Sequence, residues 1–194
     1  LFRSQQQRGR REKAALHATP NEIFDRNAIT PGTEFMIALD NYMVRFIEAK
    51  RDMLPKKVIY SGHLVPGEGE HKIMDYYRGD AASEPTYLNG GAHVLSGLDA
   101  DLIMLALVSP VNNIFIARET TEESISVDII KQHLLDQTQM SSVVHDFVII
   151  TFLIGNDFLP HSPSLSNIGE SINYILNVYK EVGASLTTEE GTID

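Results

Sequence analysis

The stretch Val65-Pro66-Gly67-Glu68-Gly69-Glu70-His71-Lys72-Ile73-Met74 decides how the rest of the chain is read. It sets two carboxylates two residues apart in a glycine-containing loop, just ahead of a segment of helical composition. Two later stretches take up the theme, Gly97-Leu98-Asp99-Ala100-Asp101-Leu102 and Gly155-Asn156-Asp157-Phe158-Leu159-Pro160-His161. Taken alone, Glu-x-Glu is ordinarily a solvated face, and Asp-x-Asp after a turn is ordinarily a turn or a helix N-cap. The settings argue for more. Asp99 and Asp101 open the apolar run Leu102–Val108, long enough for a buried strand, and Asp157 follows another, Phe147–Ile154. Acidic groups abutting a core are costly unless they are paired or bind metal. Hard cations such as Mg²⁺ take oxygen ligands, and a phosphodiester cleavage site often uses two of them.

The whole chain sets the bounds. With 194 residues it is long enough for one domain with a core. Its 43% hydrophobic and 22% charged residues are those of a soluble globular protein. Cysteine is absent, which removes disulfides and thiolate metal sites and fits an intracellular home. No apolar run reaches membrane-spanning length, and the start has no signal-peptide pattern. A net charge of −10 argues against a protein coated by nucleic acid, yet the basic residues are unevenly spread. Five of the 16 Lys+Arg fall in the first 13 residues, as Arg3, Arg8, Arg10, Arg11 and Lys13. On a helix Arg3, Gln7, Arg10 and Arg11 share one face, and guanidinium forks suit phosphate oxygens. The plainer reading of that cluster is a solvated basic helix or a disordered arm.

Taken in order, residues 1–18 have helical composition, and Thr19–Thr33 is broken by Pro20, Pro31 and Gly32. Thr33 is the expected N-cap of an amphipathic helix over about Glu34–Arg51. Its Phe35, Leu39, Tyr42, Phe46 and Met36, Met43, Ile47 are read as core packing. Lys57–Ser61 is expected as a short strand, and His71–Tyr77 as a helix. Gly79–Gly91 is a surface connection, and His93–Ser96 starts a strand. Leu102–Val108 is that strand's partner or a following helix. Asn113–Arg118 reads as a strand and Val127–Leu135 as a helix. Val143–Ile154 is a strand or helix whose length favours helix, and Ser166–Val182 is a closing helix. Alternating strands and helices predict an α/β layered domain.

The blocks Phe24–Met36, Val65–Met74, Gly97–Leu105 and Gly155–His161 resemble, in the same order, the signature blocks of the eukaryotic-type 5′→3′ exoribonucleases. These are the cytoplasmic mRNA-decay enzymes and their nuclear relatives. Thr33-Glu34 and Ser61-Gly62-His63 look closer to the cytoplasmic branch, so a cytoplasmic location is expected. The resemblance implies a PIN-like, flap-endonuclease-like fold: a twisted, mainly parallel sheet flanked by helices, here incomplete at both ends. It implies hydrolysis of single-stranded RNA from a 5′-monophosphate end to nucleoside monophosphates. Matched residue by residue, Glu68, Glu70, Asp99, Asp101 and Asp157 become the catalytic carboxylates that hold Mg²⁺ or Mn²⁺. Arg3, Gln7, Arg10 and Arg11 become the pocket for the terminal phosphate, with Arg3 in place of an expected lysine.

The departures set further expectations. Two more catalytic aspartates and a base-stacking histidine precede this segment in the family, and the chain stops at Gly191-Thr192-Ile193-Asp194. Residues 1–194 are therefore expected to be a partial catalytic domain, inactive alone and completed by the rest of a longer polypeptide or by a partner segment. The Asp pair expected before Phe147 is His145-Asp146, a change expected to affect only local packing. A non-catalytic RNA-binding or scaffold descendant is the alternative reading. A phosphotransferase with Asp99 as nucleophile would leave the Glu-x-Glu and Gly-Asn-Asp blocks without a role.

Overall fold

Thr33 starts the first α-helix among the described residues, as the sequence predicts. Its side-chain oxygen accepts the Met36 N–H at 3.3 Å, and helix α1 runs Glu34–Ala49 with Glu34 in the favourable first turn. The computed structural model describes residues 24–79, 90–97, 99–118, 123–155, 159–160, 162–165, 167–188 and 191–193. Two compact units divide the chain, Leu1–Glu68 and Gly69–Asp194.

In the first unit, α1 closes with the Lys50 N–H on Phe46 O at 2.9 Å, and a 3₁₀ turn at Arg51–Met53 follows before Pro55. Two expectations fail here. No residue of α1 is buried: Phe35, Leu39, Tyr42 and Phe46 are 37–63% exposed, and Met36, Met43 and Ile47 are half-buried. Helical spacing makes the helix, but burial needs a partner, and the described part of this unit holds no second α-helix or strand. The aromatic rings cover one another instead, Phe24 edge-on to Phe35 at 5.0 Å and Tyr42 stacked on Phe46 at 6.3 Å. Lys57–Ser61 is not a strand. It has strand composition, but among the described residues no neighbouring strand completes the ladder.

The second unit contains α2 (Gly69–Arg78), β1 (His93–Ser96), α3 (Ala100–Leu107) and β2 (Ile114–Ala117). They are followed by β3 (Ser124–Ser126), α4 (Val127–Thr138), α5 (Val143–Ile154) and α6 (Ile168–Val182). Leu102–Leu107 is thus helical, the second of its two expected forms. Asp99 at the N-cap position supplies the start, and α3 is the crossover that a parallel β1–β2 pair requires. The strands pair His93 with Ile114 through Ser96 with Ala117. Among the described residues the sheet is mixed and not mainly parallel, because β2 pairs antiparallel with β3. Only residues 118–123 connect those two strands, too few for a crossover. The chain is nonetheless α/β, with six α-helices and three strands among the described residues.

The core lies around β2, whose Ile114 and Ile116 are buried, together with Met74, Leu102, Leu107, Val127, Val143 and Leu176. Helix ends follow local rules. Ser126 caps α4 on the Ile129 N–H and Asn167 caps α6 on the Glu170 N–H, both at 3.4 Å, while Gly183 closes α6 at φ +63°. Among the described residues no helix is long and apolar enough to cross a membrane.

Candidate active site

The Glu68 and Glu70 loop is built by a turn and a helix start. The Val65 N–H meets Gly62 O at 3.2 Å, Gly67 takes φ +100°, and α2 begins at Gly69. Glu68, the last residue of the first unit, is exposed. Glu70 is half-buried because it shares a helical face with Ile73, Met74 and Tyr77, the face turned to the core. In the first turn its carboxylate also sits at the positive end of the helix dipole.

Asp99 and Asp101 stand where parallel strand β1 gives way to α3. The Gly97 N–H extends the ladder to Ala117 O at 3.2 Å. A side chain at Gly97 would put its Cβ 2.6 Å from Leu102 Cδ2, so glycine is what lets the strand turn directly over the buried Leu102. Asp99 has N-cap backbone angles, φ −75° and ψ 140°, but its carboxylate makes no cap hydrogen bond. Asp101 lies in the first turn, and both residues are exposed. The carboxyl end of a parallel strand is where open α/β sheets bind ligands. Helix α2, carrying Glu70, packs on α3, carrying Asp101.

Asp157, Arg3, Gln7, Arg10 and Arg11 lie outside the described residues. Gly155, two residues before Asp157, ends α5 at φ +99°. The oxygen donors of Glu70, Asp99 and Asp101 are of the type that hard divalent cations take. Among the described residues, however, no three Asp, Glu or His side chains stand together as a metal site. The donor chemistry fits; the geometry of a complete ligand set is not present in the described part.

Two polar clusters were not legible in the sequence. In the second unit Asp146 is fully buried. It accepts hydrogen bonds from Ser142 Oγ (3.0 Å), the Leu186 N–H (3.0 Å), Thr187 Oγ1 (2.5 Å) and the Tyr179 hydroxyl. Burial pushes its carboxyl up, but the bonds from Thr187, Tyr179, Leu186 and Ser142 together outweigh burial and hold it below the usual value. Burial, then the Asp146 carboxylate, pushes the Tyr179 phenol up to about 12. Asp146 thus joins α5 to α6 and to the segment after it, a reach beyond the local packing expected from sequence.

The other cluster lies in the first unit, on α1. Asp40 Oδ1 accepts the Tyr60 hydroxyl at 2.8 Å and lies 3.7 Å from His63 Nδ1. Accepting that bond, Asp40 raises the Tyr60 phenol above its ordinary value. The His63 side chain is 2% exposed, and among the described residues neither ring nitrogen has a hydrogen-bond partner. Only the Tyr60/His63 spacing beside a helix carrying an inward Asp would have hinted at it.

With this geometry in place, comparison with known proteins gives the class. Residues 2–120 match the family described as XRN 5'-3' exonuclease N-terminus, and residues 137–191 match Xrn1 helical domain. The chain belongs to the XRN 5′–3′ exonuclease family. It is 35% identical over 221 residues to 5'-3' exoribonuclease 1 of Saccharomyces cerevisiae, covering 91% of this chain and 14% of that protein. It is 33% identical over 210 residues to 5'-3' exoribonuclease 1 of Schizosaccharomyces pombe, covering 90% and 16%. To the Homo sapiens protein of the same name it is 31% identical over 220 residues, covering 90% and 13%. The chain therefore spans about one sixth or less of the length of these relatives.

Proposed function

We propose that the chain is part of the catalytic region of a cytoplasmic 5′→3′ exoribonuclease acting in RNA decay. The observation that carries this reading is the position of Asp99 and Asp101. A family member's acidic pair stands at the carboxyl end of a parallel strand, with Asp99 unused as a cap. The substrate is single-stranded RNA with a 5′-monophosphate, shortened to nucleoside monophosphates, and the sheet is that of a PIN-like nuclease completed by further strands.

Glu68, Glu70, Asp99, Asp101 and Asp157 would hold Mg²⁺ or Mn²⁺, which when bound supplies water activation and neutralises charge on the scissile phosphate. Arg3, Gln7, Arg10 and Arg11 would receive the terminal phosphate. A doubly charged monophosphate gains from guanidinium forks, while a capped end does not fit. Contact through backbone and base stacking gives little sequence preference.

The test uses the full-length protein and matched RNAs ending in 5′-monophosphate or 5′-hydroxyl, with Mg²⁺ or EDTA. Mg²⁺-dependent release of nucleoside monophosphates from the first RNA is expected. Arg10→Ala with Arg11→Ala should narrow the preference for monophosphate by about 10- to 100-fold, the worth of charged contacts of roughly 1.5–3 kcal/mol. Equal slowing on both RNAs would make the cluster a general backbone contact. RNA binding without hydrolysis would favour a non-catalytic family member.

A further inference from the structure

Among the described residues the segment that leads into Glu68 belongs to no sheet, yet one carboxylate gathers three of its residues. Asp40 accepts the Tyr60 hydroxyl at 2.8 Å and stands 3.7 Å from His63 Nδ1. Gly62 passes so close that a Cβ there would fall 1.9 Å from Asp40 Oδ1 and 3.0 Å from Asp40 Cγ. Asp40 is itself fixed, near the middle of the 16-residue helix α1. Among the described residues the buried His63 imidazole has no hydrogen-bond partner, and the Asp40 carboxylate is the polar group beside it. Past His63 the chain has little freedom: the Val65 N–H closes a turn on Gly62 O, Pro66 restricts φ, and Gly67 takes φ +100° before Glu68.

We propose that Asp40 is a positioning residue, which clamps Tyr60, Gly62 and His63 against α1 and so fixes the point from which Glu68 is presented. Its bearing on the reaction rests on the function proposed above for Glu68; the clamp itself does not. Asp40 touches no substrate. It acts through the loop, by tying the segment to the rigid helix α1.

The experiment compares full-length wild-type, Asp40→Ala, Asp40→Asn and Tyr60→Phe by amide hydrogen exchange and by steady-state kinetics on 5′-monophosphorylated RNA. In Asp40→Ala the amides of residues 57–65 should exchange about tenfold faster, with α4–α6 unchanged. Its kcat should fall about tenfold while KM for RNA moves less than about twofold, as misplacement of a reacting group predicts. Asp40→Asn, whose amide oxygen still accepts from Tyr60, should restore most of both. Tyr60→Phe keeps the ring and drops one O–H, so it should show the same pattern in smaller measure and decides the matter if Asp40→Ala does not fold. Unchanged exchange at 57–65, or faster exchange everywhere with kcat and KM altered alike, overturns the clamp. If the wild-type enzyme hydrolyses no RNA, the proposed function fails, and the exchange data still decide the clamp.

Discussion

Asp146 and Asp99 are both acidic residues at the beginning of an apolar helix, and their surroundings are opposite. Asp146 is buried and receives hydrogen bonds from three hydroxyls and a backbone N–H. Asp99 is exposed at the foot of a parallel strand, with N-cap backbone angles and no cap bond. A carboxylate whose lone pairs are taken by fixed donors has a structural role and nothing left for a ligand. One held in place by its backbone, with its oxygens not spent on the cap, suits exchangeable contacts. Sequence alone does not separate the two, since both simply precede apolar runs.

The largest effect that could break this contrast is on activity. In the full-length protein Asp99→Asn should lower single-turnover RNA cleavage by about 10³-fold, or roughly 4 kcal/mol of barrier. Its melting temperature should hold, because the Asp99 carboxylate is exposed and makes no cap hydrogen bond. Cleavage within a few-fold of wild type at saturating Mg²⁺ would remove Asp99 from the site.

Asp146→Ala should do the reverse. It strands donors that cost roughly 1–3 kcal/mol each when buried and unpaired, so denaturant titration should show a loss of about 3–5 kcal/mol. At low temperature the folded fraction should keep normal kcat. A variant as stable as wild type would show that water replaces the lost carboxylate.

Gly97→Ala probes the backbone that sets Asp99. The added Cβ meets Leu102 Cδ2 at 2.6 Å, so a loss of about 1–3 kcal/mol is expected, read as a lowered melting temperature. No change would mean that Leu102 rotates freely in a core where it is 1% exposed.

The smallest effects are in pH dependence. The Asp146 carboxyl is held below its ordinary 3.8, so its stabilisation is present above that value and is lost as pH falls through the folded value. Tyr179 is raised from 10.0 to about 12, so its contribution is full below pH 10 and is lost between pH 10 and about 12. Stability curves of wild type and Tyr179→Phe should therefore converge across that alkaline window. Parallel curves would remove the phenol from the network.

Much of the fold was legible because its signals are local. Thr33, the length of the apolar run in α5, the periodic apolar residues of α6 and the alternation in Ile114–Ala117 are each contained within one element. Lys57–Ser61 misleads because strand composition does not supply a strand partner, and Tyr60 turns its hydroxyl to α1 instead. The stripe on α1 misleads in the same way, since spacing gives the helix but says nothing of what covers it. Of the candidate site, the strand-end position of Asp99 and Asp101 was readable from a Gly-x-Asp-x-Asp ahead of an apolar run. The Asp146 cluster was not, because its donors on α6 and beyond lie 33 to 41 positions downstream.

That separation has a consequence for synthesis. The peptide leaving the ribosome delivers Asp146 forty residues before Leu186. At roughly 5–20 residues per second, the three donors beyond α5 follow the nascent carboxylate by about 2–8 s. Docking of α5 on α6 is therefore a late event in biogenesis. Until then the apolar side of α5 is a target for chaperones, and a translational pause within that interval should lengthen its exposure in proportion.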